Sequence, residues 1–313
     1  MTRLWYALFL LFLSLPAHAL EFNRYHTQEE IKSWMLDLAK EHPDLIKFKF
    51  LGYSQQGREI NYLIISKQNE QESTPALYFN GTHHGNEKSS TESILGLIDF
   101  IVDNRSAPMV SEILDHYTIY LQPIVNPDGH ALHSRMDSMG RDPNRDYSFP
   151  ERDEQDSFKI QDTRLVKSLV DQVKFRAAGA FHSGLEAILW PWCFTPQRNA
   201  ENDTFYTLSK LTADAMNISR YTQSYSDYPT RGEFIDYVFM THGTLALTFE
   251  VSPEPTPPAQ RLPHYVQRSV KGAMAFMKGI LALDRGNLQI QTAPDAKLLS
   301  KVDFNFKAWK KSE

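Results

Sequence analysis

Short apolar runs of strand character alternate with longer stretches of helical periodicity, and that alternation restricts the folds open to this chain. The clearest unit is Ala76-Leu77-Tyr78-Phe79-Asn80, followed by the loop Gly81-Thr82-His83-His84-Gly85-Asn86-Glu87 and a helical pattern over residues 88–104. Strand-like runs also cover residues 46–52, 60–66, 117–125, 177–181, 187–189 and 243–251. Apolar residues at helical spacing mark residues 31–38, 163–173, 201–216 and 265–283. The first of these helices opens on a capping box, Thr27 with Glu30, and stops at His42-Pro43. The pattern predicts an α/β fold: a mixed, mostly parallel central sheet of about eight strands with helices on both faces. In such sheets ligands bind beyond the carboxyl ends of the strands. His84, His182 and Glu250 all fall at or just after a strand end.

The 313 residues, 42% of them hydrophobic, are enough for one large domain with a well-buried core. A formal charge of −5 gives no electrostatic footprint for nucleic acid. Residues 1–19 read as a secretory signal peptide: Arg3, an apolar stretch over 4–15, and the small-x-small site Ala17-His18-Ala19. The stretch is too short to span a bilayer, so a secreted or periplasmic protein is expected, with no membrane span after cleavage. Cys193 is the only cysteine, which excludes an internal disulfide and predicts a buried thiol. Residues 20–285 form the expected domain and 286–313 a short polar tail. A monomer is expected.

The chemistry-bearing residues lie in the loops. His84 and Glu87 stand where a strand gives way to a helix, and imidazole and carboxylate are both zinc ligands. His83 is an alternative ligand, but the three-residue interval from His84 to Glu87 suits a turn in which neighbouring side chains converge. His182, closing a strand, is the candidate third ligand; two His and one Glu leave a position open for water on a catalytic zinc. Glu250 ends a strand buried on both sides, where desolvation raises a carboxylate's pKa toward that of a general base. Asn126-Pro127-Asp128-Gly129 reads as a turn. The polar stretch that follows holds Arg135, Arg141 and Arg145, whose guanidinium groups suit substrate carboxylates and oxyanions.

Five ordered motifs make the chain resemble the zinc metallocarboxypeptidases of the carboxypeptidase A family, the funnelins. They are His84-Gly85-Asn86-Glu87, Asn126-Pro127-Asp128-Gly129, Asp142-Pro143-Asn144-Arg145, His182-Ser183 and Thr248-Phe249-Glu250. The resemblance implies one zinc ion per chain, held by His84, Glu87 and His182, with Glu250 as general base. It implies that Arg135 stabilises the oxyanion, that Asn144 and Arg145 hold the terminal carboxylate, and that Asp142 orients the first zinc-binding His. Tyr228 matches the mobile Tyr that closes over the substrate terminus. Asp146-Tyr147 departs from the family's usual Asn-aromatic pair. The Gly-Asn pair between His84 and Glu87 resembles the regulatory branch, but the tail is too short for that branch's extra β-sandwich, and no activation segment is expected.

Ile235 stands where basic-specific relatives carry an acidic residue, and Cys193 lines another pocket-wall position. Both imply a neutral or apolar pocket for the terminal side chain, although Glu186 offers a carboxylate nearby. The expected substrate is therefore an exported or external peptide with a free C-terminal carboxylate. Alternatives are trimming of cell-wall muropeptides, a related zinc deacylase and a metal-free binding module.

Overall fold

The structure is a computed structural model, and it describes residues 20–67 and 74–293. The expected signal peptide and most of the expected tail lie outside the described residues.

Among the described residues eight strands form one sheet: β1 (Ile46–Tyr53), β2 (Glu59–Ile65), β3 (Ala76–Gly81), β4 (Thr118–Gln122), β5 (Ala177–His182), β6 (Leu185–Trp190), β7 (Tyr221–Gln223) and β8 (Leu245–Ser252). Their order is β1-β2-β4-β3-β5-β8-β6-β7. The pairs β3–β4, β3–β5, β5–β8 and β6–β7 are parallel, and the other three are antiparallel. The centre of the sheet is thus parallel, as its unbroken apolar runs predict.

The helices are α1 (Gln28–Glu41), α2 (Lys88–Asp103), α3 (Pro108–His116), α4 (Pro127–Leu132), α5 (Gln161–Val173), α6 (Asn202–Met216), α7 (Ser224–Asp227), α8 (Phe234–His242) and α9 (Leu262–Asp284). Alternate residues of the central strands enter two separate cores. Leu77, Phe79, Ala177, Phe181, Leu245, Leu247 and Phe249 face a large cluster built with α1, α2, α3, α6 and α9. Ala76, Tyr78, Ala178, Ala180 and Ala246 face a smaller one with Val166, Leu169 and Val170 of α5 and Phe234, Ile235 and Val238 of α8. The period-2 alternation of strand side chains makes this division.

The capping box of α1 is present: Glu30 N–H donates to Thr27 Oγ1, and Thr27 N–H donates to the Glu30 carboxylate at 2.8 Å. The Asn126-Pro127-Asp128-Gly129 motif opens the short helix α4 where a turn was expected. Asn126 Oδ1 accepts Gly129 N–H at 2.8 Å and Pro127 takes the first helical position, so the residues that signal a turn act here as an N-cap and its proline.

Candidate active site

The carboxyl ends of β3, β5 and β8 lie side by side. Gly81 is level with Phe181, Phe181 with Phe249, and His182 with Glu250. Cross-strand partners share a face of the sheet, so the ladder alone sets His182 beside Glu250.

Close backbone packing shapes the loop after β3. Thr82 adopts a left-handed φ of 61°, and its N–H donates to Ser90 Oγ at 3.0 Å. Asn126 N–H donates to Thr82 O at 3.0 Å, while Asn126 Nδ2 donates to His83 O and Met136 O, each at 3.2 Å. Gly85 runs against Gly129 so closely that a Cβ there would sit 1.9 Å from Gly129 C and 2.2 Å from His130 N. One asparagine and one glycine contact therefore join the segments carrying His84, α4 and Arg135.

Glu87 lies between two imidazoles. His84 Nδ1 is 2.7 Å from Oε1 and His182 Nδ1 is 2.9 Å from Oε2. Ser183 N–H also donates to Oε2 at 3.1 Å. The three side chains are buried, and one ligand atom from each lies within 4.8 Å of the others. Burial alone would raise the Glu87 pKa, but the two imidazoles outweigh it and hold the carboxylate below its usual range. His84 is raised because Glu87 and Asp142 overcome the opposing effect of burial. A divalent ion bound by these atoms would take the place of any proton shared between them.

His84 Nε2 lies 3.0 Å from Asp142 Oδ1, which leaves Nδ1 as the nitrogen facing the cluster. Asp142 also accepts Arg135 Nε–H at 3.1 Å, and Arg135 Nη1 reaches Glu87 Oε1 at 3.5 Å. Asn144 turns its amide nitrogen to His182 Nε2 at 3.4 Å, and its Oδ1 accepts Phe234 N–H at 3.0 Å. Arg145 Nη1 donates to Glu233 Oε1 at 3.1 Å. Glu250 is half-buried, and its Oε2 is enclosed with no hydrogen-bond partner among the described residues. Burial and the charges of Glu87 and Glu233 push its pKa well up. Tyr228 stands 61% exposed after α7.

His83 is not among the clustered donors. Its Nε2 lies 2.9 Å from Tyr147 Oη, its ring stacks on His182 at 5.5 Å, and burial lowers its pKa well below the usual value. The unusual Asp146-Tyr147 pair now has a physical account. Asp146 accepts Lys159 N–H and Ile160 N–H, each at 2.9 Å, fixing the end of the polar loop, and Tyr147 supports His83. Cys193 is buried, as expected. Ile235 lies in the apolar cluster with Tyr147 and Phe158. Glu186 is committed elsewhere, to an ion pair with Arg268 of α9. The sequence reasoning passed over Glu233. Its signal was a lone carboxylate between Tyr228 and Ile235, two positions already singled out.

Comparison with known proteins points the same way. A family model described as zinc carboxypeptidase matches residues 31–272. Carboxypeptidase SOL1 of Arabidopsis thaliana is 25% identical over 94% of this chain and 65% of its own length. Zinc carboxypeptidase A 1 of Anopheles gambiae is 23% identical over 75% of this chain and 61% of its own length. The match thus spans somewhat less than two thirds of each relative. The crystal structure of carboxypeptidase A from Helicoverpa armigera superposes with a TM-score of 0.78 at 18% identity, covering 85% of this chain and 76% of that one. With the family model covering most of its length, the chain belongs to the zinc carboxypeptidase family.

Proposed function

We propose that this protein is an exported zinc carboxypeptidase that removes the last residue of peptides bearing a free C-terminal carboxylate. The observation that carries the proposal is the meeting of His84, Glu87 and His182 beside Glu250, with Arg135 and Arg145 on the same loop. Two imidazole nitrogens and a carboxylate, each oriented by a further hydrogen bond, form the donor set of a catalytic zinc site. A zinc ion bound there supplies Lewis acidity and lowers the pKa of a bound water.

The protein's own groups do the rest. Glu250 takes a proton from the attacking water and delivers it to the leaving amine. Arg135, already oriented by Asp142, donates to the oxyanion of the tetrahedral intermediate. Arg145 and Asn144 hold the terminal carboxylate, and Tyr228 has the exposure needed to close over it. Gripping that carboxylate limits cleavage to the last peptide bond. Export rests on the signal-like residues 1–19.

Glu250→Gln tests the assignment. Turnover of a blocked dipeptide should fall by at least about 10³-fold while metal analysis still finds one equivalent of zinc. Turnover close to the parent rate removes Glu250 from the role of base.

A further inference from the structure

Glu233 lies beside Arg145 of the candidate site. It is the residue before α8, 8% exposed, and three groups hold its carboxylate. Arg145 Nη1 donates to Oε1 at 3.1 Å, the Thr230 hydroxyl donates to the same oxygen, and the Cys193 thiol donates to Oε2 at 3.3 Å. Its charge reaches Glu250, where it is among the causes of the raised pKa. Glu233 thus occupies the guanidinium assigned above to the substrate's terminal carboxylate.

The neighbouring acids leave that charge uncompensated once substrate arrives. Burial, reinforced by Glu233, pushes Asp236 up to about 8, and burial pushes the Cys193 thiol well up, so both are neutral near pH 7. Arg152, whose guanidinium approaches Gly232, donates to Arg145 O and Tyr147 O at 2.7 and 2.5 Å. Paired with each other, Arg145 and Glu233 therefore cancel. A substrate carboxylate drawn to Arg145 brings a second negative charge, and Glu233 must share or surrender its partner in a poorly solvated place. A like-charge pair of this kind is costly unless another cation enters with it.

We propose, resting on the carboxypeptidase assignment, that Glu233 is a specificity-determining residue that selects peptides ending in a positively charged side chain. The lysine or arginine side chain of the substrate replaces Arg145 as the partner of Glu233, while the substrate's carboxylate replaces Glu233 on Arg145. This exchange keeps every charge paired. It departs from the neutral pocket expected from Ile235 and Cys193, because the carboxylate comes from the residue two positions before Ile235.

The experiment compares zinc-loaded parent enzyme and Glu233→Gln on hippuryl-arginine, hippuryl-lysine, hippuryl-phenylalanine and hippuryl-leucine. Inhibition by free L-arginine and L-phenylalanine is measured alongside as a binding readout. The parent should favour the cationic substrates. In Glu233→Gln their kcat/KM should fall by at least about 30-fold, the scale for truncating one partner of a buried charge pair. KM for the phenylalanine and leucine substrates should fall, since Arg145 no longer has an internal competitor, and inhibition by L-arginine should weaken. A parent enzyme that prefers the neutral substrates, or a variant that changes all four alike, overturns the role of Glu233 and leaves the carboxypeptidase assignment standing. The parent's preference tests the proposal even where the variant fails to fold. No cleavage of any of the four by zinc-loaded parent overturns the assignment itself, and this inference with it.

Discussion

Replacing Gly85 by alanine tests whether close backbone packing, and not sequence motif alone, holds the metal donors together. A Cβ at position 85 would lie 1.9 Å from Gly129 C, 2.2 Å from His130 N and 2.5 Å from Gly129 Cα. All three are backbone atoms, so no side-chain rotamer relieves the contact. Carbon atoms rest about 3.5 Å apart or more, so the loop or α4 must move by roughly 1.5 Å. His84 is the adjacent residue, and Asn126, which binds His83 O, caps the helix that must yield. Overpacking of this kind costs about 1–3 kcal/mol, with this case at the upper end. Displacing a ligand by about 1 Å costs on the order of 10²-fold in turnover, and disturbing ligand orientation weakens metal binding about 10–100-fold. Gly57→Ala is the control: φ is +77° there with nothing within 4 Å of a Cβ, so it carries backbone strain of about 1 kcal/mol without a clash. Zinc affinity by chelator competition and thermal melting with and without zinc separate the two variants. If Gly85→Ala binds zinc like the parent and melts no lower than Gly57→Ala, the loop is not held in place by this contact.

Two further predictions concern buried charge away from the metal donors. Asp162 is buried in the first turn of α5 with Oδ1 unpartnered, and burial, then Asp128 and Asp137, raises it from 3.8 to about 8. The folded state therefore keeps a proton that the unfolded state releases, and stability falls as pH rises from about 4 through about 8. Allowing for the favourable helix N-terminus, Asp162→Asn should gain up to about 4 kcal/mol at pH 8 and almost nothing at pH 4, read by urea unfolding at both. An equal effect at the two pH values would show that Asp162 is ionised throughout. Glu92 accepts both His26 N–H and a contact from His26 Nδ1 at 2.8 Å, and both residues are buried. Glu92→Ala strands these groups and should cost about 3 kcal/mol, lowering the melting temperature by roughly 6–12 °C. A change under 1 °C contradicts this.

The parts legible in the sequence are those whose burial leaves a simple pattern. Strands β3, β5 and β8 are covered on both faces, so they read as apolar runs, and their ends located His84, His182 and Glu250 in advance. Strand β7 has three residues, too few for any period to show. Helix α8 was missed because Phe234, Ile235, Tyr237 and Val238 are all buried along with Asp236, which erases the polar face that marks an amphipathic helix. Glu233 was missed with it: without the helix, nothing distinguished an acidic residue at its start from a solvated one. Asp146 was visible as a departure from the family's motif, but its role depends on backbone groups at 159 and 160 that no spacing rule connects to it.

Arg135 and Arg145 differ in a way that bears on how the candidate site would admit substrate. Arg135 shares Asp142 with His84, so withdrawing it would also loosen the imidazole that presents Nδ1 to Glu87. Its ion pair is part of the framework of the clustered donors, and in the proposed role it would serve an oxyanion only through donors still free while that contact remains. Arg145 pairs with Glu233, whose other partners are a hydroxyl and a thiol and which touches no metal donor in any hydrogen bond among the described residues. Arg145 itself makes no hydrogen bond to His84, Glu87 or His182 among the described residues; its nearest link to them is Asn144, whose carbonyl accepts from Arg145 Nη1 at 2.7 Å. Exchange of partners at Arg145, with a substrate cation taking up Glu233, is therefore less disruptive to the clustered donors than withdrawal of Arg135. Under the proposed roles, the terminal carboxylate would bind where a charge can be traded and the oxyanion would form where one is fixed, so that the reacting end keeps its hydrogen bonds while the other end exchanges partners.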